Sequence, residues 1–349
     1  MVHFAKSQVH WECVTCNSSE GIPPGLHLEN GSDRKLKIGG EAMTLEDGLC
    51  PHDFYFMWDT LLDAYTSGRL TYASDKAIAI QGLASIFARH FQTTRPDGYV
   101  NGIWRSRFID GLSWSTNGEC SRNSTGAASW SWMSVDGPVM STYCWGGDSP
   151  KGRSAISQIV EVQADCTLHH PIASARGYAR IKGPMCKASL HSTKRPSAGP
   201  FEPENQYSLF LGTDKLDCLE SFHLVFDASE YGASLHPGPK TVYLLLARAL
   251  ATYENSPRYA GLSPSDYAYY GADDYECLVL EPAPDKDRCL RRVAYLRFSH
   301  HAFDWQQPDS LPGKKVLFST IDKHFRSHDL PAEVYESVDE DFMYTITLV

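Results

Sequence analysis

The feature that most constrains this chain is a change of period. Up to Trp114 the apolar residues recur with helical spacing, and from about residue 128 they alternate in short runs broken by turns. Phe54, Met57, Trp58, Leu61, Leu62 and Tyr65 form one face of an amphipathic helix over 53–66, with Gly68 as its stop. A second helix fits 75–91. Ser74 caps it, Asp75 sits in its first turn and Arg89 and His90 in its last. Its stripe is Ile78, Ile80, Leu83, Ile86 and Phe87, with Gly82 admitting a close neighbour. Ile103, Trp104, Phe108, Ile109 and Leu112 predict a third helix over 99–112. Together these make a small helical subdomain over 51–115, followed by a polar linker at 115–127.

Beyond the linker the runs read as strands: Ile159–Thr167, Tyr178–Ile181, Ala188–His191, Phe222–Phe226, Val242–Leu250, Glu276–Glu281, Arg291–Phe298, Val316–Ser319 and Met343–Leu348. The run from Val242 to Ala251 would also suit a helix. Four prolines within 183–205 predict a long exposed loop. Residues 1–50 read as irregular, apart from a short strand at Val9–Cys13. Glu333–Asp341 reads as an acidic, solvated surface. The expected fold class is therefore α+β, a helical subdomain and then an antiparallel β-sandwich-like domain over 126–349.

Composition narrows the function classes. Of the 349 residues 42% are hydrophobic, enough to fill a core, which excludes wholesale disorder. A net charge of -10 argues against a nucleic-acid binder or a polybasic membrane binder. No apolar run reaches the roughly 18 residues of a membrane span. The first residues contain no apolar leader core, so a cytoplasmic chain is expected. Its ten cysteines, at 13, 16, 50, 120, 144, 166, 186, 218, 277 and 289, are then expected to be reduced. The sequons at Asn17, Asn30 and Asn123 read as ordinary polar loops.

Few residues form a recognisable reactive set. Cys13 and Cys16 make a CxxC that Cys50 and His52 could complete as a zinc site, but one CxxC is a weak signal. His169–His170 and His300–His301 are adjacent pairs that would point to opposite faces of a strand. His324 and His328 share a face only if helical. No GxSxG, Walker loop, HExxH or GxGxxG occurs. Cys144 is imaginable as a nucleophile, without a spacing that supports it. Trp130 and Trp132 would face one side of a strand, as a ligand-stacking platform or as core residues joining the β domain to the helices. No catalytic residue and no cofactor is expected.

The aromatic residues belong to a longer series. Trp58-x6-Tyr65-Thr66-x2-Arg69-Leu70-Thr71-Tyr72-x2-Asp75-Lys76-Ala77, followed by Ile80-x-Gly82-Leu83-Ala84, resembles the segment after the domain of fungal heterokaryon-incompatibility (HET) proteins. Tyr99-x2-Gly102-Ile103-Trp104, Leu112-x-Trp114 and Ala128-Ser129-Trp130-Ser131-Trp132-x-Ser134-x-Asp136-Gly137 continue in the same order. Val9-His10-Trp11-Glu12-Cys13, with Ser19-Glu20 and Pro23-x-Gly25, resembles the end of the HET domain itself. Leu278-Val279-Leu280 and Arg291-Arg292-Val293 echo the family more loosely. Tyr143-Cys144-Trp145-Gly146 mimics its aromatic-Cys-Trp-Gly core, but out of order.

The resemblance implies that 1–50 is the remnant of a HET-domain end. Any activity of the missing part, which resembles TIR-like signalling domains in the family, is not carried over. It implies a non-catalytic recognition or regulatory piece of the non-self recognition and incompatibility cell-death system, partnered by another protein of that system. It implies structural roles for Trp58, Tyr65, Arg69, Leu70, Thr71, Asp75, Lys76, Gly82, Trp104, Trp114, Trp130, Trp132, Asp136 and Gly137. Two other classes stand beside it: a carbohydrate- or ligand-binding β-sandwich module using the tryptophans, and a Cys/His enzyme.

Overall fold

The structure, a computed structural model, describes residues 2–4, 9–12, 17–19, 51–68, 75–90, 98–141, 153–167, 176–194, 205–217, 222–235, 238–251, 272–299, 311–327 and 329–349. It has the expected α+β class, with a large, mostly antiparallel sheet. The chain opens with β1 (Val2–Phe4), β2 (Val9–Glu12) and β3 (Asn17–Ser19), antiparallel and paired in order. The strand expected at Val9 is therefore not alone in its segment: it has a partner on each edge.

Helices α1 (Pro51–Thr66) and α2 (Lys76–His90) follow. Trp58, Leu61 and Leu62 of α1 are buried as its spacing predicts. Helix α2 is rotated from the expected stripe. It buries Ala77, Ile80, Ala84 and Phe87, while Ile78 is 53% exposed. Gly82 lies on the outer side, and a Cβ there would meet nothing within 4 Å, so the close neighbour expected there is not found. A mid-helix glycine without a contact weakens its helix. Gly82→Ala should therefore stabilise the protein by about 0.5–1 kcal/mol in urea unfolding.

The third helix is mostly replaced by a hairpin. β4 (Tyr99–Val100) pairs with β5 (Ile103–Trp104) across the two-residue turn Asn101-Gly102, whose φ values are 44° and 88°. Positive φ at both turn residues is what a primed hairpin turn requires, and Asn-Gly supplies it. Only a 3-10 turn at Arg105–Arg107 and the single-turn α3 (Phe108–Gly111) remain helical. Two small ribbons complete this half. β6 (Trp114–Thr116) pairs with β9 (Val139–Ser141), and β7 (Ser121–Arg122) with β8 (Val135–Asp136).

The large sheet contains β10 (Arg153–Ala155), β11 (Gln158–Ala164), β12 (Gly177–Lys194), β13 (Asn205–Leu211), β14 (Asp214–Asp217) and β15 (Phe222–Phe226). After the short α4 (Ser229–Ser234) come β16 (Lys240–Ala251), β17 (Ala272–Pro282) and β18 (Cys289–Ser299). Helix α5 (Leu311–Phe325) precedes β19 (Ser337–Val338) and β20 (Met343–Leu348). The pairings run β12–β16–β17–β18–β20 and back to β12, so this part of the sheet closes on itself. Among the described residues only the β18–β20 pair is parallel.

Closure depends on β12, which continues through residues expected to be a loop. Its first part pairs with β20 up to Pro184↔Met343, and from Met185↔Leu245 it pairs with β16. Proline has no N–H to donate, and it stands where the strand exchanges neighbours. Gly183 beside it admits Ser157, whose Oγ would lie 1.9 Å from any Cβ added there. The other three prolines of 183–205 lie outside the described residues. α5 is a second correction, since Val316–Ser319 reads as a strand. Ile321 and Phe325, four apart, are buried on its inner face, a helical period.

The sheet is buried on both faces. Val242, Leu244 and Leu246 of β16 enter one cluster with Cys277, Val279, Leu296, Phe298, Ile321 and Phe325. Tyr243, Leu245 and Ala247 enter the other, which continues into Trp58, Trp104, Trp114, Trp130 and Trp132. That two-sided burial makes the Val242–Ala251 run almost continuously apolar, and it is a strand.

Candidate functional site

The residues of the ordered motif series meet where the helices join the sheet. Trp58 lies edge-on to Phe87, Tyr99 and Trp104, with ring centroids 5.3, 5.5 and 5.2 Å away. Trp130 and Trp132 are not on a strand. They flank Ser131, whose Oγ accepts from Met133 N and caps the 3-10 turn Trp132–Ser134. Both indoles are buried, at 0% and 1% exposure, and so present no open face to a sugar or other stacking ligand. Trp132 Nε1 donates to Gly102 O at 2.9 Å, and Trp114 Nε1 to Trp130 O at 3.0 Å. Asn101 ties the same turn to the sheet region. Its Oδ1 accepts from Cys166 N at 3.2 Å, and its Nδ2 donates to Arg176 O at 3.1 Å.

Three polar members of the series also act within this junction. Tyr65 Oη donates to Lys76 O at 2.8 Å, fixing α1 to the start of α2. Thr66 Oγ1 accepts from Val139 N at 2.9 Å, fixing α1 to β9. Lys76 is buried, donates from Nζ to Val135 O and lies 5.2 Å from the Trp132 ring centroid. Burial pulls its pKa down to about 8, against the opposing field of Asp136. The sign of the consequence follows from linkage. Between pH 8 and 10.5 the unfolded chain holds a proton that the folded chain has released, so folding gains stability as pH rises through that window. Wild type should therefore gain about 3 kcal/mol on Lys76→Met between pH 7 and 10.5, read from paired denaturant titrations.

Asp75 and Asp136 are exposed. Gly137, at φ 134°, has Cys120 Sγ at 2.4 Å from the place of a Cβ. Arg69, Leu70, Thr71, Cys13, Cys16, Cys50, Cys144, the two adjacent histidine pairs and His328 lie outside the described residues, as does the His52 side chain. Among the described residues no group of three or more His, Cys, Asp or Glu is placed to hold a metal. Cys120, Cys166, Cys186, Cys277 and Cys289 are free thiols. No helix is long and apolar enough to cross a membrane, among the described residues. Asn123 Nδ2 donates to Met133 O at 2.6 Å, a structural use for one sequon residue.

Sequence reasoning missed the charged groups beneath the tryptophans. Arg292, fully buried, lies with Cζ 3.6 Å from the Trp114 ring centroid. It donates to Leu112 O and Trp114 O and pairs with Asp227 Oδ1 at 3.0 Å. The other Asp227 oxygen takes Arg122 Nη2 at 2.9 Å. Burial pulls Arg292 down to about 10, opposed by Asp227, so it stays charged at neutral pH. A second set joins α3 to the sheet. Buried Arg248 lies 3.2 Å from Glu276 Oε2 and 3.1 Å from Asp110 Oδ1. Asp110 in turn holds Arg107 Nε at 2.6 Å.

Above Asp110 a cleft of about 40 Å³ opens between α1 and the β4–β5 hairpin. Tyr55, Trp58, Trp104, Trp132, Arg107 and Asp110 line it. Ligand pockets for small metabolites run to hundreds of Å³, so the cleft suits no more than a side-chain head group. Elsewhere Ser189 Oγ and His191 Nε2 are 3.0 Å apart, as side chains two apart on one strand face can be. The arrangement as a whole fixes aromatic rings and buried ion pairs in place. Comparison with family models, with curated proteins and with solved structures finds no match for this chain.

Proposed function

We propose that this chain is a non-catalytic recognition or regulatory part of a heterokaryon-incompatibility-type system, acting through another protein in non-self recognition and incompatibility cell death. The observation that supports the reading is the meeting of its motif residues. Tyr65, Lys76, Gly102, Trp104, Trp114 and Trp132 are spread over more than sixty positions, yet they interlock at one junction by the contacts given above. A motif series of this kind specifies a rigid junction between two parts of a fold, which is what a recognition platform needs.

Induced expression of the chain in a filamentous fungus should change the outcome of fusion between strains, and Trp132→Ala should abolish the change. Unaltered fusion and viability at verified expression would remove the reading. Purified protein should also leave NAD and nucleoside triphosphates unconsumed. Turnover that a single substitution abolishes would make the chain an enzyme instead.

A further inference from the structure

We propose that the cleft between α1 and the β4–β5 hairpin is a docking site for an arginine side chain of a protein partner, and that Arg107 occupies it in the free chain. This deepens the recognition reading above and rests on it. Arg107 already shows what the site holds. Its guanidinium lies 4.4 Å from the Tyr55 ring centroid and is held by Asp110 through Nε at 2.6 Å. An aromatic face beside a carboxylate is the environment that a planar cation favours. Asp110 Oδ1 also lies 3.1 Å from Nε of buried Arg248, an ion pair that helps to hold the carboxylate in place. The cleft that Arg107 lines is about 40 Å³, too small for a metabolite.

Arg107 and Asp110 keep 20% and 27% side-chain exposure, so a partner's side chain can reach both. The hydrogen bond between Tyr55 Oη and Ser106 Oγ, 2.6 Å long, is exposed too. An incoming arginine therefore replaces one guanidinium by another without uncovering the indoles beneath. The chain's net charge of -10 draws a cationic partner surface toward it.

Exchange makes an unusual demand. A resident group that fills the site lowers apparent affinity by the fraction of time it does so, so removing it should tighten binding. Tryptophan fluorescence can report this, because Trp58, Trp104 and Trp132 line the cleft. Methylguanidine and N-acetyl-arginine amide should bind saturably to the wild-type chain and about tenfold more tightly to Arg107→Ala. Citrulline and lysine amides should bind neither protein comparably. Tyr55→Leu should weaken binding of both arginine probes. If Arg107→Ala does not fold, Arg107→Gln serves in its place, with tighter binding again expected. Absence of saturable binding, equal binding of citrulline, or binding no tighter without Arg107 overturns the proposal. Because the measurement uses purified chain and small probes, it can fail while the fusion phenotype stands, and the reverse.

Discussion

Replacing Asp227 by asparagine should cost about 3–5 kcal/mol of stability, the largest effect expected of a near-isosteric change in this protein. Asp227 is 1% exposed and is the only carboxylate that pairs with Arg292 among the described residues. It also receives Arg122. The amide keeps the shape but leaves a fully buried guanidinium without its counter-charge. The Trp114 face and the carbonyls of Leu112 and Trp114 offset part of that loss, since they still meet Arg292. The urea midpoint should fall with little change in m. Adding Arg292→Met removes the stranded charge, so the double variant should be more stable than Asp227→Asn alone. A single-variant loss under about 1 kcal/mol would mean that water reaches the pair and screens it.

The contrast between these two arginines and the tryptophans bears on what a sequence can disclose. Trp58, Trp104 and Trp114 are conspicuous as residue types, and their burial follows from that. Nothing local marks Arg292, whose carboxylate lies 65 positions away, or Arg122, which is 105 positions from the same group. A pairing at that separation exists only after the sheet has formed, so no spacing rule reveals it.

Periodicity was legible where one face of an element is buried and misleading where it is not. β16 buries both faces, which erases alternation and leaves strand and helix equally plausible by pattern. Over 99–112 the apolar spacing matched a helix by coincidence. Asn101-Gly102 between Val100 and Ile103 was the stronger signal, because primed turns call for that dipeptide. In β12 the proline that suggests a loop marks the corner at which one strand serves two neighbours. For α2 the stripe is right at Ile80 and Phe87 and wrong at Ile78, because the buried face turns toward Ala77 and Ala84 and takes in Lys76, whose ammonium is satisfied inside by Val135 O.

Gly102→Ala should lower stability on the order of 3–5 kcal/mol, through two costs that a control can separate. One is backbone strain, since φ is 88° at this position. The other is steric. A Cβ would lie 2.3 Å from Trp132 Nε1 and 2.7 Å from its Cε2, inside a core with no slack. The indole cannot retreat without losing its hydrogen bond to Gly102 O, and the Lys76 ammonium rests near its ring. Gly118 supplies the control. Its φ is 101°, but nothing lies within 4 Å of a Cβ placed there. Gly118→Ala should therefore show the strain alone, about 1–3 kcal/mol. Near-UV circular dichroism should change for Gly102→Ala, whose clash displaces Trp132, and stay as in wild type for Gly118→Ala. Equal losses for the two variants would show that the indole yields freely, and the rigid junction on which the recognition reading depends would lose its centre.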